Sequence, residues 1–279
     1  MKANRITDLI EKKAPLSLQE PWDNSGWQIK LKDDFRKVLI AIEIRSDVIS
    51  EAETRGCDLI ITHHPLIFGD GVRQVDDNNV TGNQIIELIR AGISVYSSHT
   101  PYDKCEDGNN DYLGRVLGFD KFISLNAKYG SQDDPEYREA EDFYTDTGAL
   151  DYVRVGYLNK AESIRDFMRR AASRLDVDSK YFRYAGDLDV QIRKAAWCTG
   201  SGSEFMEAAY YEDCDIYITG DLKYHDAQKA RELGINVLDL GHWGTEKIFV
   251  SNMTSDLIDL EDEDLELIKS DLDLNPFAF

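Results

Sequence analysis

Cysteine is scarce in this sequence: Cys57, Cys105, Cys198 and Cys214 are scattered over 279 residues with no Cys-x-x-Cys pair. That spacing argues against a disulfide framework and against a thiolate zinc site, and leaves the four as buried or half-buried free thiols. Long apolar runs are missing too. The longest, such as Val38 to Ile42, fall far short of the roughly 20 residues that a membrane helix needs. The opening MKANRITDLIEKKAP reads as a short amphipathic helix and not as a signal peptide. A cytoplasmic protein with no membrane partner is expected. No Gly-x-Ser-x-Gly elbow and no convincing Ser-His arrangement is present, so a serine hydrolase is not indicated. GxxxxGK[ST] is absent, which excludes a P-loop protein.

Positive charge is also in short supply, with 32 Lys and Arg against 53 Asp and Glu for a formal net charge of -21. Two segments carry much of it: residues 131–146 hold seven acids and one Arg, and residues 251–279 hold nine acids and one Lys. Together they supply -14, so the remaining body is only mildly acidic. No nucleic-acid partner is expected, because phosphate neutralisation calls for the opposite sign. Both acidic runs read as solvated surface.

What is present is a chain with 42% hydrophobic and 10% aromatic residues, enough for a sizeable core. VLIAIEI from Val38 reads as a buried strand. SDVISEAETRG follows as a helix with Ser46 as N-cap and Gly56 as its stop, and CDLIITHHP as a second strand. Residues 83–91 read as a helix closed by Gly92, then ISVYSSHT as a third strand. The grammar returns later: IRKAAWCTG, DIYITG and INVLDLGH as strands, with SEFMEAAYYEDC and HDAQKARELG as the helices between them. RGCDLIITHHP and YEDCDIYITGD match as helix end, short apolar strand, then Thr and polar residues. The expected fold class is α/β: two related three-layer-type halves, with mixed sheets and flanking helices, packed into one composite domain spanning 1–279. The halves fall at about 1–125 and about 191–279. A connecting segment of about 126–190 carries the acidic insert, a strand at YVRVGYL and a helix near 161–175.

The five histidines all follow expected strands: His63 and His64 after LIIT, His99 after ISVYSS, His225 after YITGDLKY and His242 after VLDLG. Ligands in open α/β sheets bind at the carboxyl ends of strands. A lone histidine is more often structural, but five at one class of position point to a site. His63-His64 leads the set. Neighbouring strand residues point to opposite faces, but a strand end stiffened by Pro65 can turn both imidazoles into one cavity, each serving one ion of a pair. The plainer alternative is a turn with one functional and one surface histidine. His242 and Glu246 are spaced i, i+4 and share a face if a helix begins after Gly241; a histidine and a carboxylate make half a site for zinc, iron or manganese. His99 and Asp103 repeat that spacing, with Pro101 favouring a loop or a first helical turn, and Asp103 is the candidate bridge between two cations. CTGSGS reads either as an anion-facing turn or as a plain strand-to-helix turn. WDNSGWQ reads either as an ordered loop over a site or as core anchoring by Trp22 and Trp27.

These motifs, EPWDNSGWQ (20–28), ITHHPLIF (61–68), SSHTPYD (97–103), GSGSEF (200–205), ITGDLKYH (218–225) and GHWGTEK (241–247), occur in the order of one family. The chain resembles the GTP cyclohydrolase 1 type 2 homologues, also called Nif-three-like dinuclear-metal proteins, over nearly its whole length. The resemblance implies five metal ligands, His63, His64, Asp103, His242 and Glu246, holding two divalent ions per subunit, with zinc, iron and manganese all suited. It implies His99 and His225 nearby, as groups behind the ligands or facing substrate, and a toroidal homohexamer. The family's WDNVGLQVG is WDNSGWQIK here, so Trp27 and Lys30 replace Leu and Gly and bear on the shape of the site mouth. Its LD pair is Ile42-Glu43, its TGE is TGD at Asp221, and its SE is TE at Thr245. No proposed ligand is lost.

The expected function is therefore a metal-dependent hydrolase for a small anionic or nucleotide-like molecule, with Glu246 or His99 passing a proton. Lys223 adds local positive charge, and His225, Trp22 and Asn24 are further candidates for substrate contact or support. The alternative is a metal-binding regulatory protein or metallochaperone without turnover. A third reading is a scaffold that recruits partners through its acidic surface.

Overall fold

The computed structural model describes residues 1–69, 71–125, 149–261 and 265–277. The acidic run 131–146 lies outside the described residues. The chain divides into two compact units, Met1–Gly108 with Phe249–Phe279, and Asn109–Ile248. This differs from the halves expected from sequence, because the C-terminal stretch belongs with the first unit. The reason is apolar spacing. Phe249, Met253, Leu257 and Leu260 line one face of the helix Phe249–Glu261 and bury in the same cluster as Ile6, Val38 and Leu59. Of the described acids of the tail, Asp256 and Asp259 lie on this helix and Glu266 on the strand that follows, and Asp256 pairs with Lys13 at 2.6 Å.

The first unit holds a five-stranded sheet of β1 (Gly26–Ile29), β2 (Lys37–Ala41), β3 (Leu59–Thr62), β4 (Ser94–Ser97) and β11 (Glu266–Lys269), in the order β1-β4-β3-β2-β11. Only β1 runs antiparallel to its neighbour. β2 to β4 are buried along nearly their whole length, as expected of parallel strands covered on both faces. The helix Ser46–Arg55 ends at Gly56 as expected, but Ser46 is not its cap. Arg45 occupies that position in extended conformation and pairs with Asp47, so the helix starts one residue earlier than the N-cap reading required. The next helix begins at Val80, three residues before the expected start, because Asn79 caps it by accepting from Gly82 N at 2.6 Å.

The second unit holds a six-stranded sheet of β5 (Phe119–Ser124), β6 (Arg154–Ser163), β7 (Arg183–Ala185), β8 (Gln191–Ser201), β9 (Ile216–Gly220) and β10 (Asn236–Asp239), in the order β5-β6-β8-β9-β10-β7. β8, β9 and β10 are parallel and the other pairings antiparallel. Its core centres on Trp197, stacked on Phe119 at 4.6 Å. The molecule is therefore mixed α/β, with two mixed sheets and flanking helices.

The echo between RGCDLIITHHP and YEDCDIYITGD is a structural repeat. Cys57 N donates to Ala52 O, and Cys214 N donates to Ala209 O. The Asp58 carboxylate accepts from the amides of Arg36 and Lys37, and Asp215 does the same for Arg193 and Lys194. Each aspartate thus ties the start of its own strand to the neighbouring one and sets the register that places the strand ends beyond it. None of the four cysteines is in a disulfide; three are buried and Cys214 is half-buried. Among the described residues no helix is long and apolar enough to cross a membrane.

Candidate metal centre

In the first unit β3 and β4 are parallel neighbours with Thr62 paired to Ser97, so the residues just beyond them emerge side by side at one sheet edge. There the chain turns sharply: the amides of His63 and His64 both donate to the single carbonyl of Ile42, at 3.1 and 2.9 Å. This shared acceptor breaks the strand alternation that would have sent the two rings to opposite faces. The rings of His63 and His64 lie 5.1 Å apart, and His99 is 5.1 Å from His63 and 5.6 Å from His64. One ligand atom from each of the three lies within 4.8 Å of the others.

Each of these rings has a nitrogen close to an oxygen. His63 is fully buried, and its Nδ1–H donates to Ser98 O at 2.9 Å. That fixes the tautomer with Nε2 as the nitrogen that could ligate a metal, 3.5 Å from the Asp103 carboxylate. His64 Nδ1 is 3.5 Å from Glu43. His99 Nδ1 is 2.8 Å from Asp23. Asp103 lies in the short helix Thr100–Lys104, with Pro101 in its first turn as expected. The Asp23 carboxylate also accepts from the Thr100 amide and hydroxyl, the Ser25 hydroxyl and its neighbouring amide at Asn24. Burial alone would raise the Asp23 pKa, but His99, Thr100 and Asn24 outweigh it and hold the carboxyl well below the usual carboxylate range.

The second unit repeats the geometry. Asp221 follows β9, and His242 opens the helix His242–Glu246 beyond β10. His242 Nδ1 is 2.8 Å from Asp221, and its Nε2 is 3.0 Å from Glu246. Glu246 is buried, and its charge, opposed by burial and reinforced by Asp221, pushes His242 up to about 11. Gly200, at the end of β8, gives Glu246 its space: it has φ +61°, and a Cβ there would lie 2.1 Å from Glu246 Oε1. The CTGSGS run is thus a strand-to-helix turn whose glycine admits a carboxylate. Imidazole nitrogens with their opposite nitrogens held, beside buried carboxylates, form a donor set that fits zinc, iron or manganese.

The other sequence candidates fall as follows. Trp22 is 56% exposed and stands edge-on to His99 with ring centroids 6.0 Å apart. Asn24 donates to Ile67 O at 2.8 Å, and Ile67 N donates to Gln28 at 3.0 Å, so WDNSGWQ is a loop at 22–25 that runs into β1 and is tied to the segment after the histidines. Trp27 belongs to the core, against Phe35 and Tyr96, with Lys30 over its ring. Lys223 and His225 sit exposed at the start of the helix Tyr224–Leu233, where Lys223 N donates to Asp226 and His225 contacts Gln228. Sequence reasoning misses Asp23, Glu43 and Asp221 as supports of the histidines. Glu43 and Asp221 stand out in the sequence only as departures from a family pattern, and Asp23 lies in the motif EPWDNSGWQ with nothing local to say that it reaches a histidine.

Comparison with known proteins shows the family. The sequence profile described as Duf34/NIF3 (NGG1p interacting factor 3) matches residues 1–276. A Clostridium perfringens protein named GTP cyclohydrolase 1 type 2 homolog is 35% identical over 280 residues, covering 100% of both chains. NGG1-interacting factor 3 of Saccharomyces cerevisiae is 30% identical, covering 92% of this chain and 89% of its own. A solved Staphylococcus aureus protein superposes with a TM-score of 0.85 at 26% identity, over 100% of this chain and 99% of its own. With the match running over nearly every residue, the chain belongs to the DUF34/NIF3 family.

Proposed function

We propose that the protein binds two divalent metal ions per subunit through His63, His64, Asp103, His242 and Glu246, and uses them to hydrolyse a small anionic or nucleotide-like substrate. The observation that carries this reading is the convergence of the imidazoles of His63, His64 and His99, with one ring nitrogen of each within 4.8 Å of the others. Nδ1 of His63 is held by Ser98 and that of His99 by Asp23, and Nδ1 of His64 stands 3.5 Å from Glu43. When bound, such ions lower the pKa of a bound water and polarise the electrophile. The chain's own contribution is orientation and proton handling. His99, gripped at Nδ1 by Asp23, presents Nε2 to take or return a proton, and Glu246 is the second candidate. The relatives' name suggests a purine nucleotide as substrate, and family resemblance suggests a cytoplasmic homohexamer; both belong to this proposal.

The test is metal analysis of the purified, reconstituted protein, followed by a hydrolysis screen of nucleotides, phosphoesters and cyclic amides. Two equivalents of metal and a turnover lost in His64→Ala, with the fold intact, are expected. Fewer than one equivalent would remove the dinuclear claim. Two equivalents with no turnover on any substrate would favour the regulatory or metallochaperone reading.

A further inference from the structure

The first unit treats its aromatic side chains in two ways. Trp27 is half-buried, its ring 5.8 Å from Phe35 and 5.3 Å from Tyr96, both of which are almost completely buried. Trp22 and Phe68 are left 56% and 50% exposed. Exposure of that much apolar surface forgoes the free energy that burial would supply. The two rings are nevertheless fixed in place. Trp22 and Phe68 stand edge to face at 5.8 Å and 76°, and both stand edge to face with His99, each at 6.0 Å. The loops that carry them are tied together through Asn24 and Gln28 on the backbone of Ile67, next to Phe68. Asp23, next to Trp22, grips His99. Beyond Phe68 lies a cleft of about 430 Å³, lined also by Leu66, Arg73, Gln74 and Thr81. That is within the size range of small-ligand sites.

Aromatic surface that is exposed yet held rigid is pre-organised for a flat partner, since little freedom remains to be lost on binding. We propose that Trp22 and Phe68 form a ring-binding wall beside the histidines, and that the substrate carries a planar heteroaromatic ring that stacks on it. This rests on the reading of the histidine cluster as the reacting centre. The wall sets specificity: it recognises the ring, while the reacting end lies at the histidines. A ligand that keeps sugar and phosphate but lacks the ring loses the stacking contribution, which is worth roughly tenfold or more in affinity per ring.

The experiment compares guanosine monophosphate with ribose 5-phosphate by calorimetry on the full-length, zinc-loaded protein and on Trp22→Ala, Phe68→Ala and the milder Trp22→Leu and Phe68→Leu. The zinc content and assembly state of each are measured alongside. The expected result is that guanosine monophosphate binds about tenfold tighter than ribose 5-phosphate. The variants erase that preference while ribose 5-phosphate affinity and zinc content stay unchanged. Equal binding of the two probes, binding of neither, or an equal loss for both in the variants overturns the ring wall. So does a variant that shifts the assembly state, because the rings would then cover a contact between copies. A wild-type protein holding less than one equivalent of zinc defeats the metal reading separately, and the probe comparison still decides the wall.

Discussion

Nδ1 of His99 lies 2.8 Å from Oδ1 of Asp23, a residue 76 positions earlier in the chain. The same carboxylate takes the amide and hydroxyl of Thr100, which begins the helix carrying Asp103. One buried acid from the N-terminal loop therefore fixes the far side of the histidine cluster. Asp23→Asn removes charge-assisted hydrogen bonds and should cost about 2–3 kcal/mol in a denaturant titration at pH 7.

That cost depends on pH, and its sign follows from the shift. Asp23 has a folded pKa below its ordinary 3.8. Its contribution is fully present above 3.8 and is lost as pH falls toward the folded value. The stability gap between the wild type and Asp23→Asn should hold from pH 7 to about pH 5 and narrow by pH 3. A gap that stays constant down to pH 3 would show that the carboxylate charge is not what stabilises the loop.

Gly200→Ala should injure the site more than the fold. Its Cβ would lie 2.1 Å from Glu246 Oε1 at a backbone angle of φ +61°. Gly234 provides the control, with φ +80° and no atom within 4 Å of where a Cβ would stand. Both substitutions should lose about 1 kcal/mol from backbone strain. Only Gly200→Ala should also weaken zinc retention, by roughly 10–100-fold in competition with a chelator, the usual scale for disturbing the surroundings of a metal ligand. Equal zinc affinity in the two variants would remove Gly200 from the site.

Asp221→Asn should weaken zinc binding by a similar roughly 10–100-fold, because Asp221 orients His242 from its Nδ1 side. Asp221→Glu restores the acid found in the family pattern and should keep most of the affinity. If both substitutions were silent in the chelator competition, the His242–Asp221 contact would have no bearing on metal binding.

Trp27→Leu tests whether this position shapes the site mouth. Trp27 packs on Phe35 and Tyr96. The substitution should therefore cost about 2–3 kcal/mol of stability through lost packing. Zinc content and ligand affinity should not change. A change in either without a loss of stability would return Trp27 to the site.

Much of the fold and the site is legible in one dimension. Apolar strands punctuated by Gly56 and Gly92 mark the alternation of strand and helix, because periodicity and glycine stops are local properties of the chain. His63, His64, Asp103, His242 and Glu246 are legible as candidates because metal ligation demands particular side chains, and the positions just beyond strands collect them. Local pattern does not show that one carbonyl, Ile42, bends both histidines off the strand. Nor does it show that Asp23 reaches His99, or that the helix Phe249–Glu261 belongs with the first unit and not with the segment just before it. Those facts depend on which distant surfaces bury together and which buried polar groups find partners. Side-chain chemistry alone names the candidates for holding a metal. Which acid orients His99 follows from how distant segments pack, because a hydrogen bond across 76 residues leaves no periodic trace in the chain.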